Sequence, residues 1–377
     1  MNKRANTVPV TLLTGFLGAG KTTLLNRMIR APELADTLVI INEFGSVGLD
    51  HDLIAKSNED GTVVEMSSGC LCCTIKGDLQ KTLKEAPERF VRDGKRWFNR
   101  VIIETTGLAD PAPIIHTIMA DGELVATYRL AQVIALVDAV NGSDTLDMQP
   151  EALKQAAMAD TLLLSKTDLA DGGDVVALKD RLHAINPAAS ILSTADDIED
   201  PLALLNDAGF NPDLKSEEVI AWLKQEAYDG DHHHHHHGHD HGHDHGHDHG
   251  HDHGHHHDVN RHDDRISSVS LTIDEPLPAE IFDQWFALLS SLNGANMLRV
   301  KGLIHLKEMD KPLVIHGVQH IWHPPAVMPE WPSDDRRSRI VFILRDMSES
   351  TLQDALEFVT EKYEKAQLQG DTTSLGL

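Results

Sequence analysis

The segment VPVTLLTGFLGAGKTTLLN, residues 8–26, constrains this chain more than any other. An apolar run ends at Gly15, and G-F-L-G-A-G-K-T from Gly15 to Thr22 then fits G-x-x-x-x-G-K-[ST] with an amphipathic stretch behind it. Strand before and helix after is the context in which that pattern binds phosphate. Glycines let the backbone turn until its N–H groups converge on phosphate oxygens. The expected binding set is Gly15, Gly18, Ala19, Gly20, Lys21, Thr22 and Thr23. Lys21 brings a point charge to the β- and γ-phosphates, which makes it the first catalytic candidate, and the Thr22 hydroxyl is a ligand for Mg²⁺. The helix N-terminus adds its own field for anions.

The following two hundred residues alternate apolar runs with helical patterns. Strands are expected at 8–13, 37–42, 62–67, 100–105, 132–139, 161–165 and 189–193, with helices over Lys21–Arg30, Gly77–Asp93 and Asp174–Ile185. Apolar strands alternating with helices make a mainly parallel sheet covered on both faces, so the fold class is α/β, a P-loop NTPase domain. From Asp229 to His262 the chain is His, Asp and Gly almost throughout, with no apolar stretch to bury. Beyond it the pattern changes to strands at Arg265–Ile273, Leu298–Lys307, Leu313–Trp322 and Arg339–Arg345, with helices over Pro278–Leu292 and from Ser348 to about Gln367. That reads as a small α+β domain with one antiparallel sheet and two helices. The expected division is a P-loop nucleotide-binding domain at 1–228, a disordered His/Asp/Gly-rich linker at 229–262 and a C-terminal domain at 263–377.

Two segments identify the nucleotide. VIIETTGLADP ends an apolar strand with Glu104, where a carboxylate would hold the magnesium shell through water and is the best positional candidate for catalysis. Gly107 would let a switch segment bring its amide to the γ-phosphate. TLLLSKTDL places Ser165, Lys166, Thr167 and Asp168 at another strand end, similar to the N/T-K-x-D signature for guanine. Asp168 would accept from the ring N–H and the exocyclic amine, and the Lys166 stem would lie along the base. Ser165 stands where Asn is usual. Ser193–Ala195 is the natural place for a supporting base contact.

The thiols are the second source of chemistry. SSGCLCCT carries Cys70, Cys72 and Cys73, the only three cysteines in the chain. An odd number of thiols so closely spaced suits a reducing compartment, hence the cytoplasm, and thiolate metal binding. Zn²⁺ is the default occupant, with Cu(I) chemically open. Three thiolates leave one position for an exchangeable ligand, which suits transfer. The formal net charge of −26 gives no general attraction to nucleic acid phosphates, and no apolar run is long enough to span a membrane.

In this order, TLLTGFLGAGKTTLLN, INEFG, GCLCCT, ETTGLADPAPII, ALVDAV and SKTDL closely resemble the CobW-type family of P-loop GTPase metallochaperones. LRVKGLIHL and VIHGVQHIWHPP resemble that family's C-terminal domain. The resemblance implies GTP hydrolysis coupled to loading a divalent metal, most often zinc, into client metalloproteins. It places the metal at Cys70, Cys72 and Cys73, with Glu43 as a fourth ligand or switch contact. Relatives often read NEFGE, whereas Ser46 fills the fifth position here. A cobalt carrier for cobalamin synthesis and a nickel-insertion GTPase are competing assignments, and GCLCCT with the long C-terminal domain argues against nickel. A histidine-rich zinc buffer is the rival from another class. On the metallochaperone reading the His tract is a weak, multivalent collector of divalent ions feeding the thiolates. His305, His316, His320 and His323 are expected to pack in the core or at the surface, and Trp285, Trp322 and Trp331 in the core or at an interface. A dimer stays open.

Overall fold

The computed structural model describes residues 7–43, 63–67, 73–194, 204–205, 266–293, 296–323 and 325–369. Cys70, Cys72, Ser46, Ala195 and the His tract lie outside these.

Seven parallel strands form the N-terminal sheet in the order β3-β2-β6-β1-β7-β8-β9. They are β1 Val8–Gly15, β2 Thr37–Glu43, β3 Val63–Ser67, β6 Arg100–Thr105, β7 Tyr128–Asp138, β8 Thr161–Ser165 and β9 Ser190–Ser193, with β4 Val91–Arg92 and β5 Lys95–Arg96 a small separate hairpin. The central strands are buried almost throughout, because helices cover both faces. The helices are α1 Lys21–Ile29, α2 Cys73–Arg89, α3 Ala112–Ala120, α4 Gly122–Thr127, α5 Gly142–Met148, α6 Pro150–Met158 and α7 Gly172–Ile185. Alternation along β1 sorts the two layers. Leu13 packs with Leu24, Leu25 and Met28 of α1, while Val10 and Leu12 belong to the layer of Ile115 in α3 and Ala156 in α6.

The second sheet is antiparallel, in the order β10-β15-β11-β12-β13, with β14 pairing on β12. Its strands are β10 Ile266–Ile273, β11 Met297–Ile304, β12 Leu313–Val318, β13 Ile321–Trp322, β14 Ala326–Val327 and β15 Ser338–Arg345, and its helices α8 Ala279–Asn293 and α9 Glu349–Gln369. Phe342 and Leu344 pack with Trp285 and Leu352 of the two helices, whereas Ile343 between them joins Leu298 and Val318 in the core of the GTPase domain. One face thus carries the helices and the other lies against the first domain.

Several expectations need correction. Helix α2 runs from Cys73 to Arg89 rather than from Gly77 to Asp93, and Asp93 takes φ 52° in the tight turn of the β4–β5 hairpin. The run expected as one strand over Leu313–Trp322 folds back on itself, since Gln319 adopts φ 55° and β12 pairs antiparallel with β13. Strand β11 stops at Ile304, short of Lys307, and β7 starts four residues early at Tyr128. Among the described residues no helix is long and apolar enough to cross a membrane.

Candidate functional site: a phosphate cradle joined to a base-recognition loop

Strand β1 delivers its last residue under the neighbouring strand. A Cβ on Gly15 would lie 2.5 Å from the carbonyl oxygen of Leu136, so only glycine fits there, and its φ of 136° is foreign to L side chains. The loop then turns through Gly18 and Gly20 at φ 74° and 91° into α1. No side chain caps that helix, which leaves its first N–H groups directed at the loop interior. Lys21 is buried and donates from Nζ to Gly15 O at 2.8 Å and Phe16 O at 3.1 Å, folding its charge over the cradle.

Two elements meet at the metal-facing side. Thr22 Oγ1 donates to Glu104 Oε1 at 2.8 Å, joining the start of α1 to the end of β6. A hydroxyl and a carboxylate in contact form a hard oxygen pair of the kind Mg²⁺ selects, so these residues fit the ion that accompanies a nucleoside triphosphate. Thr105 Oγ1 bonds Thr14 Oγ1 at 2.9 Å and locks β6 to β1 beneath the site. Gly18, Gly20, Lys21, Thr22, Thr23, Glu104 and Gly107 line a cavity of about 240 Å³. Gly107 lies hard against the loop, since a Cβ there would come within 2.6 Å of the Leu17 backbone nitrogen.

The segment expected to recognise the base is strapped to this cradle. Ser165 Oγ donates to Ala19 O at 2.7 Å, so the hydroxyl standing in for the usual Asn ties the end of β8 directly to the phosphate loop. Lys166 sits at φ 58°, and its Nζ contacts Asp138 Oδ2 at 2.6 Å. Burial pushes the Asp138 carboxyl up, but the Lys166 ammonium, the Val140 N–H and the Asn141 side chain outweigh it and hold it below its ordinary range. Thr167 Oγ1 meets Ser193 Oγ at 3.0 Å, which brings the end of β9 to the same loop. Asp168 follows in the turn after β8. Asp138 was not assigned a role from sequence, although the ALVDAV run that contains it was a visible signal.

The thiolate side is described only in its approaches. Cys73 is the first residue of α2, and Glu43 the last of β2. Strands β2 and β3 are parallel neighbours with Glu43 opposite Ser67, so the two strands end side by side. His316 and His323 are both buried and stack at 4.7 Å; His320 contacts His116 of α3 at 5.1 Å and His305 contacts Trp331 at 5.0 Å. Trp285, Trp322 and Trp331 donate from Nε1 to Leu352 O, Ser290 Oγ and Asp310 O. Among the described residues no three His, Cys, Asp or Glu side chains gather to hold a metal.

Residues 9–193 match the family model of the CobW/HypB/UreG nucleotide-binding domain, and residues 266–360 that of the cobalamin synthesis protein CobW C-terminal domain. The chain is 31% identical over 338 residues to the zinc chaperone YjiA of Escherichia coli K12, a match spanning 90% of this chain and 94% of that one. It is 34% identical over 231 residues to the zinc-regulated GTPase metalloprotein activator 1 of Schizosaccharomyces pombe, spanning 59% and 54% of the two chains. The crystal structure of the Zn(II)-bound YjiA GTPase from E. coli aligns with a TM-score of 0.62 at 27% identity, over 94% of this chain and 99% of that one.

Proposed function

This chain belongs to the CobW family of P-loop GTPases, with its nucleotide-binding and C-terminal domains both matched, and we propose that it is a GTP-hydrolysing zinc metallochaperone that loads client metalloproteins. The observation that carries the nucleotide half is the Thr22–Glu104 contact beside Lys21, which assembles hard oxygen donors and a cation around one phosphate cradle. Mg²⁺ bound there would neutralise charge on the β- and γ-oxygens. Lys21 adds a further positive charge, Gly107 offers its amide to the γ-phosphate, and Glu104 orients the Thr22 hydroxyl. Lys166 and Asp168 hold guanine.

The cargo half rests on the sheet edge where β2 and β3 end side by side. Cys70, Cys72 and Cys73 hold Zn²⁺ as thiolates, with Glu43 completing the set. The INEFG motif begins in β2 and GCLCCT follows β3 in sequence, so loss of the γ-phosphate would alter the metal's surroundings and favour its departure. The names of the relatives favour zinc over cobalt or nickel. We further divide the chain into a GTPase domain at 1–228, a His-rich collector at 229–262 and a C-terminal domain at 263–377, acting in the cytoplasm.

Zinc stoichiometry of protein purified without metal resin, and zinc transfer to a chromogenic chelator in GTP versus GDP, test this reading. Serine at positions 70, 72 and 73 together is expected to remove the tight zinc while leaving the His tract's weak ions, and to abolish the nucleotide dependence of transfer. Nucleotide-dependent transfer that survives the triple change sinks it. Deleting 232–257 should reduce capacity only; a protein that then loses transfer is a buffer.

A further inference from the structure

Helix α6, Pro150–Met158, touches the 107–110 turn through Lys154 and Gln155 and, one turn further on, the second domain through its last residue. Gln155 is 1% exposed, and its Nε2 donates to Gly107 O at 3.2 Å and to Ala109 O at 2.9 Å. Its Oε1 is buried with no hydrogen-bond partner among the described residues. An unpaired buried oxygen costs roughly 1–3 kcal/mol, so this side chain is kept for its donating end. One residue back, Lys154 Nζ pairs with Asp110 Oδ2 at 2.8 Å, while Asp110 Oδ1 accepts from Ala112 N at the start of α3. The 107–110 turn is therefore clasped on one side by α6 and pressed on the other against Leu17 of the phosphate loop.

One turn beyond Gln155, at the C-terminal residue of α6, Met158 O accepts from Arg299 Nη1. Asp160, just beyond, is fully buried between Arg299 Nη2 and Lys301 Nζ, the latter at 3.0 Å, and its Oδ2 accepts from Val133 N at 2.9 Å. Both cations come from β11. A register shift between Met297 and Arg299 turns Leu298 as well as Arg299 toward the GTPase domain.

We propose that Gln155 is the positioning residue for the γ-phosphate switch, and that α6 ties this switch to the C-terminal sheet through Arg299. The inference rests on the GTP reading above. It follows from geometry: the donors on Gln155 fix the two carbonyls that bracket Leu108, and thereby fix where the Gly107 amide can stand. That amide serves the third phosphate alone, so GTP should feel the loss of Gln155 and GDP should not. Two contacts one turn apart on the same helix move together, and a coupling energy between them is the physical criterion for such a link.

The experiment is equilibrium binding of fluorescent GTP and GDP to the full chain with Mg²⁺, alongside thermal melts. In Gln155→Met, GTP affinity is expected to fall about tenfold, the equivalent of one ordinary hydrogen bond, with GDP affinity within about twofold of wild type. Gln155→Glu, which faces two carbonyls with a carboxylate, should lose at least as much. Arg299→Lys keeps the buried charge, so it folds, but gives up the two-armed grip on Met158 and Asp160. It should lower the GTP:GDP affinity ratio in the same direction, and the double variant should lose less than the sum. An unchanged ratio in Gln155→Met, or equal losses for both nucleotides, overturns the positioning role. An unchanged ratio in Arg299→Lys, or strict additivity, overturns the tie. Wild type that binds neither nucleotide fails the GTP reading instead.

Discussion

Asp138, within the ALVDAV run, shows how a residue with no role legible in its own motif shapes the loop beside it. Its carboxylate receives the Lys166 ammonium and two groups of the turn after β7, and Lys166 in turn holds a left-handed backbone that opens the base-recognition loop. Charge-assisted bonds of this kind contribute roughly 1.5–3 kcal/mol. Asp138→Ala should therefore weaken GTP and GDP alike, by about tenfold or more, and narrow the preference for guanine over adenine nucleotides. A titration with fluorescent GDP and competing ATP checks this; undiminished affinity for both guanine nucleotides rules it out. At this scale the phosphate loop, Glu104, Lys166 and Asp168 stand out in sequence as candidates because each belongs to a run whose chemistry is local. Asp138 and Gln155 do not, because their roles depend on partners 28 and 46–48 positions away. Ser165 reads in sequence as the loss of an amide, and in space as a strap from β8 to Ala19.

Among the elements, α2 begins at Cys73 and is held along its length. Leu79, Leu83 and Ala86 are buried, Gln80 and Lys84 both engage Asp121, and Tyr128 donates to Leu83 O at 2.8 Å. Asp121 is kept near 2 by Lys84 first, with the Leu124 N–H, Gln80 and the Glu123 N–H adding to it, and the same carboxylate caps α4. Asp121→Ala removes cap and strap together, and the cap alone is worth about 1 kcal/mol. Melting should fall by about 2–4 °C for a chain this size, and hydrogen exchange over residues 73–89 should quicken. Unaltered exchange in that helix counts against the strap. The strands were readable because burial on both faces makes them unbroken apolar runs. Helices α3 to α6 carry no expectation in the sequence. APIIHTIMA is apolar almost throughout and shows no polar stripe, and the other three are too short to establish a helical period by themselves.

Over the whole molecule the seam between the domains was invisible in sequence, since Asp160 meets Arg299 across 139 positions. Burial would raise the Asp160 carboxyl, yet Arg299 and Lys301 keep it ionised. The same cations, with burial foremost and His323 beside it, hold His316 well below its usual 6.5. His316 therefore stays neutral in the fold while the unfolded chain takes up a proton as pH drops below about 6.5, so its contribution is present above that value and fades beneath it. Each such proton adds at most about 1.4 kcal/mol per pH unit to the slope. Urea midpoints should decline from pH 7 to 5, and His316→Leu should flatten that decline; parallel profiles for the two proteins would contradict it.

That seam also bears on the covalent connection between the two domains. Because buried side chains set how the domains meet, a longer or shorter connection changes the closure entropy by only about 0.6 kcal/mol for each doubling of length. The number of Gly-His-Asp-His units can therefore vary with little effect on how the two domains are joined.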